Sequence, residues 1–328
     1  MCPWIACNDC VAPTEVVSGV ALRNIFRQIA RFLGAALFFM LLFVPAQARA
    51  QNVWDPLVAQ LAADGFEGPR MSTLFARAEV RFDPQVMARK MRNLLEVKLA
   101  VEKPKVESPE IYYSYLNPVL IIQARSFIGS QQIALSEAKK RYQVPEEVLV
   151  ALLLVETKLG RNVGTKNALS TLGSMALAAD FALISPYIDE TGLDPQISEW
   201  LRWRTAQKAA WAYKELKALL IYARNTGFDP ASIPGSVYGA IGICQFMPSN
   251  ALRYGADLDG DGRVDLFTPA EAVLSTARFL RANGWRAGLT REQQQKVLYR
   301  YNHSHPYTRT IMTVADILRG TSSTAAEQ

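Results

Sequence analysis

The segment that most constrains the fold of this chain is apolar on every side of a helix. It spans residues 144–160 and reads VPEEVLVALLLVETKLG. Pro145 suits the first helical position, Glu146 and Glu147 suit the first turn, and Gly160 suits the point where a helix stops. Because helices that are apolar all round are buried, we expect a mainly α-helical protein with this helix at its centre.

Glu156 is the only acidic residue of this segment beyond its first turn. It falls in the last turn, where the negative end of the helix dipole opposes a carboxylate. Burial and the dipole both raise the pKa of such a carboxyl, as a general acid working near neutral pH requires. From the helix alone an alternative stays open, in which Glu156 reaches solvent or pairs with Lys158 or Arg161.

The composition is that of an ordinary globular protein, with half of the 328 residues hydrophobic and about a fifth charged. The formal net charge of +6 is mild and interleaved with acids, so we expect no nucleic-acid partner. Residues 101–110 are charged and contain two prolines, which predicts an exposed excursion. Further helices are predicted over 118–142, over 204–225, from Thr268-Pro269 to Asn283, and on both sides of 301–307; residues 51–100 predict short helices.

An unbroken apolar run covers residues 32–44, after Arg23, Arg27 and Arg31 and before Ala48-Arg49-Ala50. A basic flank, a short apolar core and an A-x-A site are typical of a secretory signal peptide. We expect cleavage after Ala50 and a periplasmic protein. A retained inner-membrane anchor is the alternative, although the run is short for a membrane span.

Removal of residues 1–50 takes away four Arg and two acidic residues and leaves a net charge of +4. It also removes the C-x-x-C formed by Cys7 and Cys10, so Cys244 stays as the only cysteine. One thiol cannot form an internal disulfide, and core burial must hold the protein together. We expect Cys244 to be a small buried hydrophobe rather than a nucleophile.

An acidic loop, DLDGDGRVDLFT, spans residues 257–268 and has the ligand spacing of a calcium-binding EF-hand loop. Thr268 stands at the twelfth position, where a bidentate Glu is usual, and Glu271 follows. Thr268 and Glu271 also have the spacing of a helix capping box, which competes for the same carboxylate. We expect a structural Ca²⁺ site with no part in the chemistry; its predicted ligands at loop positions 1, 3, 5, 7 and 9 are Asp257, Asp259, Asp261, the Arg263 carbonyl and Asp265.

Three motifs occur in a fixed order: ETKLG (156–160), GAIGICQFMPS (239–249) and YNHSHPY (301–307). Together they resemble the lytic murein transglycosylases of the B type, in the lysozyme-like superfamily. The resemblance extends from LVAQLAADGF (57–66) to about Leu318. It implies an all-α lysozyme-like catalytic domain with a small irregular β element and the EF-hand-like loop.

The resemblance also implies an activity. These enzymes cleave the β-1,4 bond between N-acetylmuramic acid and N-acetylglucosamine of peptidoglycan without water, leaving a 1,6-anhydromuramyl end. Glu156 matches their single general acid/base, and no cofactor is implied for the chemistry. Glu271 matches an acidic calcium ligand of the family.

Other residues match positions that bind the glycan. Ser236 and Gln245 match polar positions of the cleft, whereas Tyr301, Asn302 and Tyr307 match the Y-N pair and the later Tyr. The glycines of 234–249 permit either close approach of a sugar or a tight turn packed on the core. Two further hypotheses stay open, namely an aromatic wall from Tyr112, Tyr113 and Tyr115 and, weakly, a metal at His303 and His305.

The implied partner is the peptidoglycan strand, with the cell-wall synthesis machinery as a further candidate and a monomer as the expected state. Two rival functions remain: a hydrolytic muramidase of the same fold and a non-catalytic peptidoglycan-binding protein. The expected organisation is a signal segment (1–50), an N-terminal helical part (51–110), a lysozyme-like core (111–320) and a disordered tail (321–328).

Overall fold

The computed structural model describes residues 52–100 and 110–320, and the predicted signal segment and tail lie outside these ranges, as does all but the last residue of the predicted excursion. The predicted mainly α-helical fold is confirmed in the described residues. The helices are α1 (Asp55–Ala63), α2 (Gly68–Phe75), α3 (Gln85–Leu99), α4 (Pro118–Ser130), α5 (Gln132–Tyr142), α6 (Glu146–Thr157), α7 (Ala168–Leu177), α8 (Pro195–Thr226), α9 (Pro248–Tyr254), α10 (Pro269–Ala282), α11 (Arg291–Tyr301) and α12 (His305–Arg319).

Helix α6 is buried at the centre of the main core, as its apolar sequence predicts. Every residue from Val148 to Val155 is buried, and α4, α5, α10 and α12 pack around it. Pro145 immediately precedes the first helical residue. The helix ends at Thr157 because Lys158, Leu159 and Gly160 all take a left-handed backbone conformation, with φ of 52°, 63° and 90°.

Two predicted helix boundaries were wrong. The helix expected over 118–142 is two helices that break at Gln131, because α4 packs on α6 and α12 whereas α5 packs on α10. The helix expected over 204–225 starts at Pro195, where the Asp194 side chain accepts a hydrogen bond of 2.7 Å from the Gln196 amide and caps the helix. Its end before Gly227 is as predicted.

The predicted small β element is an antiparallel pair, β1 (Lys166–Asn167) with β2 (Pro234–Gly235). It connects the segment that follows α6 to the glycine-containing segment 234–249, hereafter the glycine loop. Two isolated bridges, Gly235–Ile241 and Ile241–Phe246, fold this loop back on itself. The Ile243 amide donates to the Leu266 carbonyl at 2.8 Å, so the glycine loop also lies against the end of the acidic loop.

A second, smaller core lies where α3, α7 and α8 meet. Met87, Met91, Met175 and Leu201 are buried in it. The predicted short helices of 51–100 are α1, α2 and α3, and α3 contributes one wall of this second core. No helix in the described ranges is both long and apolar enough to cross a membrane.

Candidate active site

Glu156 lies in the last turn of α6 with its side chain half-buried. Burial raises its pKa to about 7, and a hydrogen bond from Tyr307, whose hydroxyl donates to Oε1 at 2.5 Å, opposes part of that rise. The alternative pairing is not seen, because no ion pair joins Glu156 to Lys158 or Arg161 in the described residues. The group is therefore half protonated near neutral pH, as a general acid must be.

Tyr307 is held in place by the start of α12. Its ring is 3% exposed, and the Ser304 side chain accepts a hydrogen bond from its amide at the helix N-cap. Tyr112 reaches the same place, with its hydroxyl 3.3 Å from the Ser304 hydroxyl. Burial, and then the charge of Glu156, raise the pKa of Tyr115. Tyr113, in contrast, is 68% exposed.

The glycine loop is tied to the end of α6 and to the end of α11. The Thr157 hydroxyl donates to the Ile243 carbonyl at 2.8 Å, and the Tyr301 hydroxyl donates to the Cys244 carbonyl. Cys244 is fully buried, as expected, and burial raises the pKa of its thiol to about 12. The end of α6 that carries Glu156 is therefore bonded to a loop whose backbone is held from two sides.

Two residues predicted to bind glycan make hydrogen bonds within the loop region. The Gln245 side-chain nitrogen donates to the Gly242 carbonyl at 2.9 Å and to the Val163 carbonyl at 3.1 Å, and its backbone is left-handed with φ of 50°. The Ser236 hydroxyl accepts from the amides of Tyr238 and Ala240 at 3.3 and 3.0 Å. Both side chains shape the loop in this structure.

The side chains of Tyr301 and Asn302 have different surroundings although the two residues are adjacent in sequence. The ring of Tyr301 packs against those of Phe246 and Phe279, with centroids 5.8 and 4.8 Å away. Asn302 ends α11 and is exposed. Asn302 is thus the more exposed member of the Y-N pair, whereas Tyr301 is partly buried.

The glycines of the loop are required by contacts with the protein itself. A Cβ on Gly242 would lie 2.5 Å from Cβ of Leu266, and one on Gly239 would lie 2.7 Å from Leu172. Both glycines also have positive φ, of 73° and 88°. The packed-turn interpretation therefore applies at these two positions.

The acidic loop brings three carboxyl groups together. One oxygen each from Asp257, Asp259 and Glu271 lies within 4.8 Å of the others. Glu271 is 7% exposed and accepts hydrogen bonds from the amides of Leu258, at 3.1 Å, and Asp265. Carboxylate oxygens that converge in this way fit a Ca²⁺ ion.

The side chains of Asp261 and Asp265 are not members of this group. Asp261 accepts from the Arg263 amide at 2.7 Å, and Asp265 accepts from the Phe267 amide at 2.7 Å. The competing capping box is not formed, because Thr268 makes no side-chain cap at the start of α10. The carboxylate of Glu271 is therefore directed to the acidic loop.

His303 and His305 flank the ring of Tyr299, at centroid distances of 5.1 and 4.9 Å. Both are exposed. In the described part of the chain, the acidic-loop group is the only set of three or more His, Cys, Asp or Glu residues that could hold a metal, so the two histidines belong to no such set.

Comparison with known proteins gives one curated relative with a clear match. The chain is 29% identical over 174 residues to the membrane-bound lytic murein transglycosylase B of Escherichia coli strain K12. The match covers 53% of this chain and 41% of the relative, so the chain spans less than half the length of that protein.

Solved structures with the same fold include two lytic transglycosylases of bacteria. Slt35 of Escherichia coli, solved in complex with calcium, has a TM-score of 0.62 at 19% identity and covers 82% of this chain and 93% of its own. SltB3 of Pseudomonas aeruginosa, solved with NAG-NAM-pentapeptide, has a TM-score of 0.60 at 21% identity. The match covers 81% of this chain and 79% of SltB3.

A family model matches a larger part of the chain than the curated relative does. It describes the transglycosylase SLT domain and matches residues 49–297. This range contains Glu156, the glycine loop and the acidic loop, and it ends before Tyr301. The chain belongs to the family of proteins that carry the transglycosylase SLT domain.

Proposed function

We propose that this protein is a lytic transglycosylase that cleaves the β-1,4 bond between N-acetylmuramic acid and N-acetylglucosamine of peptidoglycan and leaves a 1,6-anhydromuramyl end. The observation that carries the proposal is the carboxyl of Glu156, held at the end of an apolar helix with a pKa of about 7 and hydrogen-bonded to Tyr307. The names of the relatives, a murein transglycosylase and a protein solved with a sugar-peptide fragment, support the substrate class.

Glu156 serves in both halves of the proposed reaction. As the protonated acid it donates its proton to the glycosidic oxygen as the bond to the muramyl C1 breaks. The carboxylate that results then accepts the proton of the muramyl C6 hydroxyl while that oxygen bonds to C1, which restores the acid. The Tyr307 hydroxyl donates to the carboxylate and stabilises it between the two steps.

A single carboxyl suits this cycle. Ordinary glycosidases pair two carboxylates, one of which activates water or attacks the sugar. The charge of Glu156 raises the pKa of Tyr115, Cys244, Tyr301 and Tyr307, none of them a carboxyl. These neighbours agree with a cycle that uses Glu156 alone.

Substrate contacts are proposed from the same geometry. Asn302 is exposed and has an amide suited to the N-acetyl group of a sugar, and Tyr307 acts through Glu156. Ser236, Gln245 and Tyr301 are also proposed to line the cleft, where their hydrogen bonds hold the glycine loop in shape.

We further propose a structural Ca²⁺ held by Asp257, Asp259 and Glu271, with Asp261, the Arg263 carbonyl and Asp265 as the other predicted ligands. The calcium complex of Slt35 supports this assignment.

For location, we propose export to the periplasm by residues 1–50. An envelope location agrees with the name of the membrane-bound relative. The division into 51–110, 111–320 and a tail at 321–328 also stays a proposal, as do the monomer and contacts with the wall-synthesis machinery.

The decisive experiment replaces Glu156 by Gln and digests purified peptidoglycan sacculi. Glu156→Gln should bind sacculi as the parent does but release products about 10²–10⁴-fold more slowly, because general acid–base catalysis is worth about that much. Glu146→Gln, on the same helix but in its first turn, is the matched control and should retain activity.

Product masses separate the rival functions. Anhydro products lack the water that a muramidase adds, so mass spectrometry of the parent digest distinguishes the two enzymes. Equal solubilisation of sacculi by the parent and by Glu156→Gln would refute the assignment of the acid, and no solubilisation by the parent would favour the non-catalytic binding protein.

A further inference from the structure

A surface formed by α3, α8 and the glycine loop carries several basic side chains beside aromatic rings. Lys90 Nζ lies 4.6 Å from the ring centroid of Tyr238, and Lys98 Nζ lies 5.1 Å from that of Trp200. Lys208 Nζ lies 5.4 Å from that of Trp211. We call this surface the aromatic–basic patch, and its members are Lys90, Lys98, Trp200, Arg204, Lys208, Trp211 and Tyr238.

Helix geometry makes the patch continuous. Lys90 and Lys98 are eight residues apart and share a face of α3, and Trp200, Arg204 and Lys208 follow each other at four-residue spacing on α8. Lys98 meets Trp200 at one end, and the charge of Lys90 acts on Lys208 at the other, so the two helices run in opposite directions here. Eight helical residues correspond to about 12 Å along the patch.

The rings of the patch are anchored by the protein. Trp200, Trp211 and Tyr238 are partly buried and pack on the second core formed by α3, α7 and α8. A cation over an aromatic ring is attracted to it without being neutralised. The rings therefore hold the ammonium groups in place as a carboxylate would, but leave their charge available to a ligand.

The basic side chains of the patch form no ion pairs in the described part of the chain. No ion pair joins Lys90, Lys98, Arg204 or Lys208 to a carboxylate there. Burial lowers the pKa of Lys208, and the charges of Arg204 and Lys90 lower it further. Like charges held together in this way cost free energy that a bound anion would recover.

The glycine loop connects the patch to the active site. Tyr238 belongs to this loop, and its amide donates to the Ser236 hydroxyl at 3.3 Å. Farther along the loop, Thr157 and Tyr301 bind the carbonyls of residues 243 and 244 next to Glu156. One short loop thus has the aromatic–basic patch at one side and the catalytic carboxyl at the other.

We propose that the aromatic–basic patch binds the carboxylates of peptidoglycan stem peptides on the part of the strand that extends away from the bond being cut. This rests on the proposed function, which supplies the strand. Stem peptides end in carboxylates, and ammonium and guanidinium groups bind carboxylates through charge-assisted hydrogen bonds. The patch is too small and too localised for the long basic stripe that a nucleic acid requires.

The test compares two double variants with equal loss of charge, each made in the full chain with Glu156→Gln so that strands stay uncut. Lys90→Gln with Lys208→Gln removes charge from the patch. Lys139→Gln with Lys140→Gln, on exposed positions of α5, is the matched control. Binding is measured by sedimentation with intact sacculi, with sacculi stripped of stem peptides by an amidase, and with vesicles of anionic phospholipid.

The patch variant should bind intact sacculi about tenfold more weakly than the control, the loss expected for a charge-assisted contact. On stripped sacculi the two variants should bind equally. Equal binding to intact sacculi would overturn the proposal, and loss of vesicle binding alone would assign the patch to a membrane instead.

A further measurement separates this proposal from the proposed function and from misfolding. With Glu156 intact, the patch variant should cleave stripped strands at the rate of the parent. If the patch variant is as slow as Glu156→Gln on stripped strands, the patch proposal is overturned because the residues act on the cut itself. If the parent neither binds nor cleaves sacculi, the proposed function fails and the patch proposal fails with it.

Discussion

At the scale of single residues, two opposing effects determine the pKa of Glu156, namely burial and a hydrogen bond. Burial at the end of α6 disfavours the charged carboxylate, whereas the hydrogen bond from Tyr307 favours it. Burial is the larger effect, so the pKa rises to about 7 instead of falling. Tyr307 is therefore a residue that tunes the acid, and its effect can be measured separately from that of the acid itself.

The pH dependence of turnover tests this balance. Because the proposed mechanism starts from protonated Glu156, kcat/KM should fall as pH rises through about 7. Tyr307→Phe keeps the ring but removes the hydrogen bond that lowers the pKa, so the fall should move to higher pH. The check is a pH–rate profile for both proteins, and a midpoint that stays put or moves down in Tyr307→Phe would contradict the assigned role.

The same shift has a consequence for folding. A carboxyl whose pKa is raised in the folded state contributes stability that is fully present below its unfolded pKa near 4.5 and is lost as pH rises through about 7. The unfolding free energy of Glu156→Gln should therefore differ less between pH 5 and pH 8 than that of the parent protein does.

Sequence identified the type of residue at the site better than its direction. Glu156 could be predicted because one acid in an apolar helix is conspicuous. The sequence could not predict that the Tyr301 hydroxyl and the Gln245 amide donate to backbone carbonyls, because motif spacing carries no information about side-chain rotamers. Tyr115 could be named only as one of three candidate tyrosines, because the short turn Tyr113–Leu116 that carries it has no helical pattern and lies far from Glu156 in sequence.

At the scale of elements, patterns of apolar spacing predicted the existence of helices well and some of their ends poorly. The break at Gln131 depends on which neighbours α4 and α5 pack against, which is tertiary information. The early start of α8 was marked in the sequence by Asp194-Pro195, a cap followed by a proline at the first helical position. That signal was available and was missed.

The glycine loop gives a prediction at this scale. Gly242 and Gly192 share a φ of 73°, but only Gly242 faces protein atoms where a Cβ would stand. Gly192→Ala should cost about 1 kcal/mol for the left-handed backbone alone. Gly242→Ala adds the contact with Leu266 and should cost about 2–4 kcal/mol in the free energy of unfolding.

Urea unfolding of both variants measures the difference. Because the backbone cost is the same at the two positions, the excess loss at Gly242 isolates the packing of the loop. Equal losses of unfolding free energy in the two variants would mean that the glycine loop rearranges to accommodate the added methyl group.

At the scale of the whole molecule, the acidic loop lies between α9 and α10 and is joined through residues 243 and 266 to the loop beside Glu156. Sequence spacing predicted a calcium loop, but it could not rank the aspartates, and it left Glu271 with a rival role in a helix capping box. The structure groups Asp257, Asp259 and Glu271, whereas the side chain of Asp261 is not part of this group. Only the fold could separate them, since α10 is what brings Glu271 back to the loop.

Calcium should therefore stabilise the molecule by mass action on the folded state. For a chain of this size each kcal/mol of binding free energy should raise the unfolding temperature by about 1.5–2 °C. Asp257→Asn should abolish most of the calcium-dependent rise, and Asp261→Asn should reduce it less. The measurement is calorimetry with calcium and with a chelator; a larger loss in Asp261→Asn would show that the ion sits elsewhere in the loop.

The burial of Cys244 gives the protein a built-in reporter of loop opening. With a pKa of about 12 and no exposed surface, its thiol is almost never a thiolate at neutral pH and is out of reach of alkylating reagents. Modification of the thiol then requires that the protein opens around Cys244, either at the glycine loop or by unfolding. Once Cys2, Cys7 and Cys10 are replaced by serine, the rate of alkylation measures how often the Cys244 thiol becomes exposed.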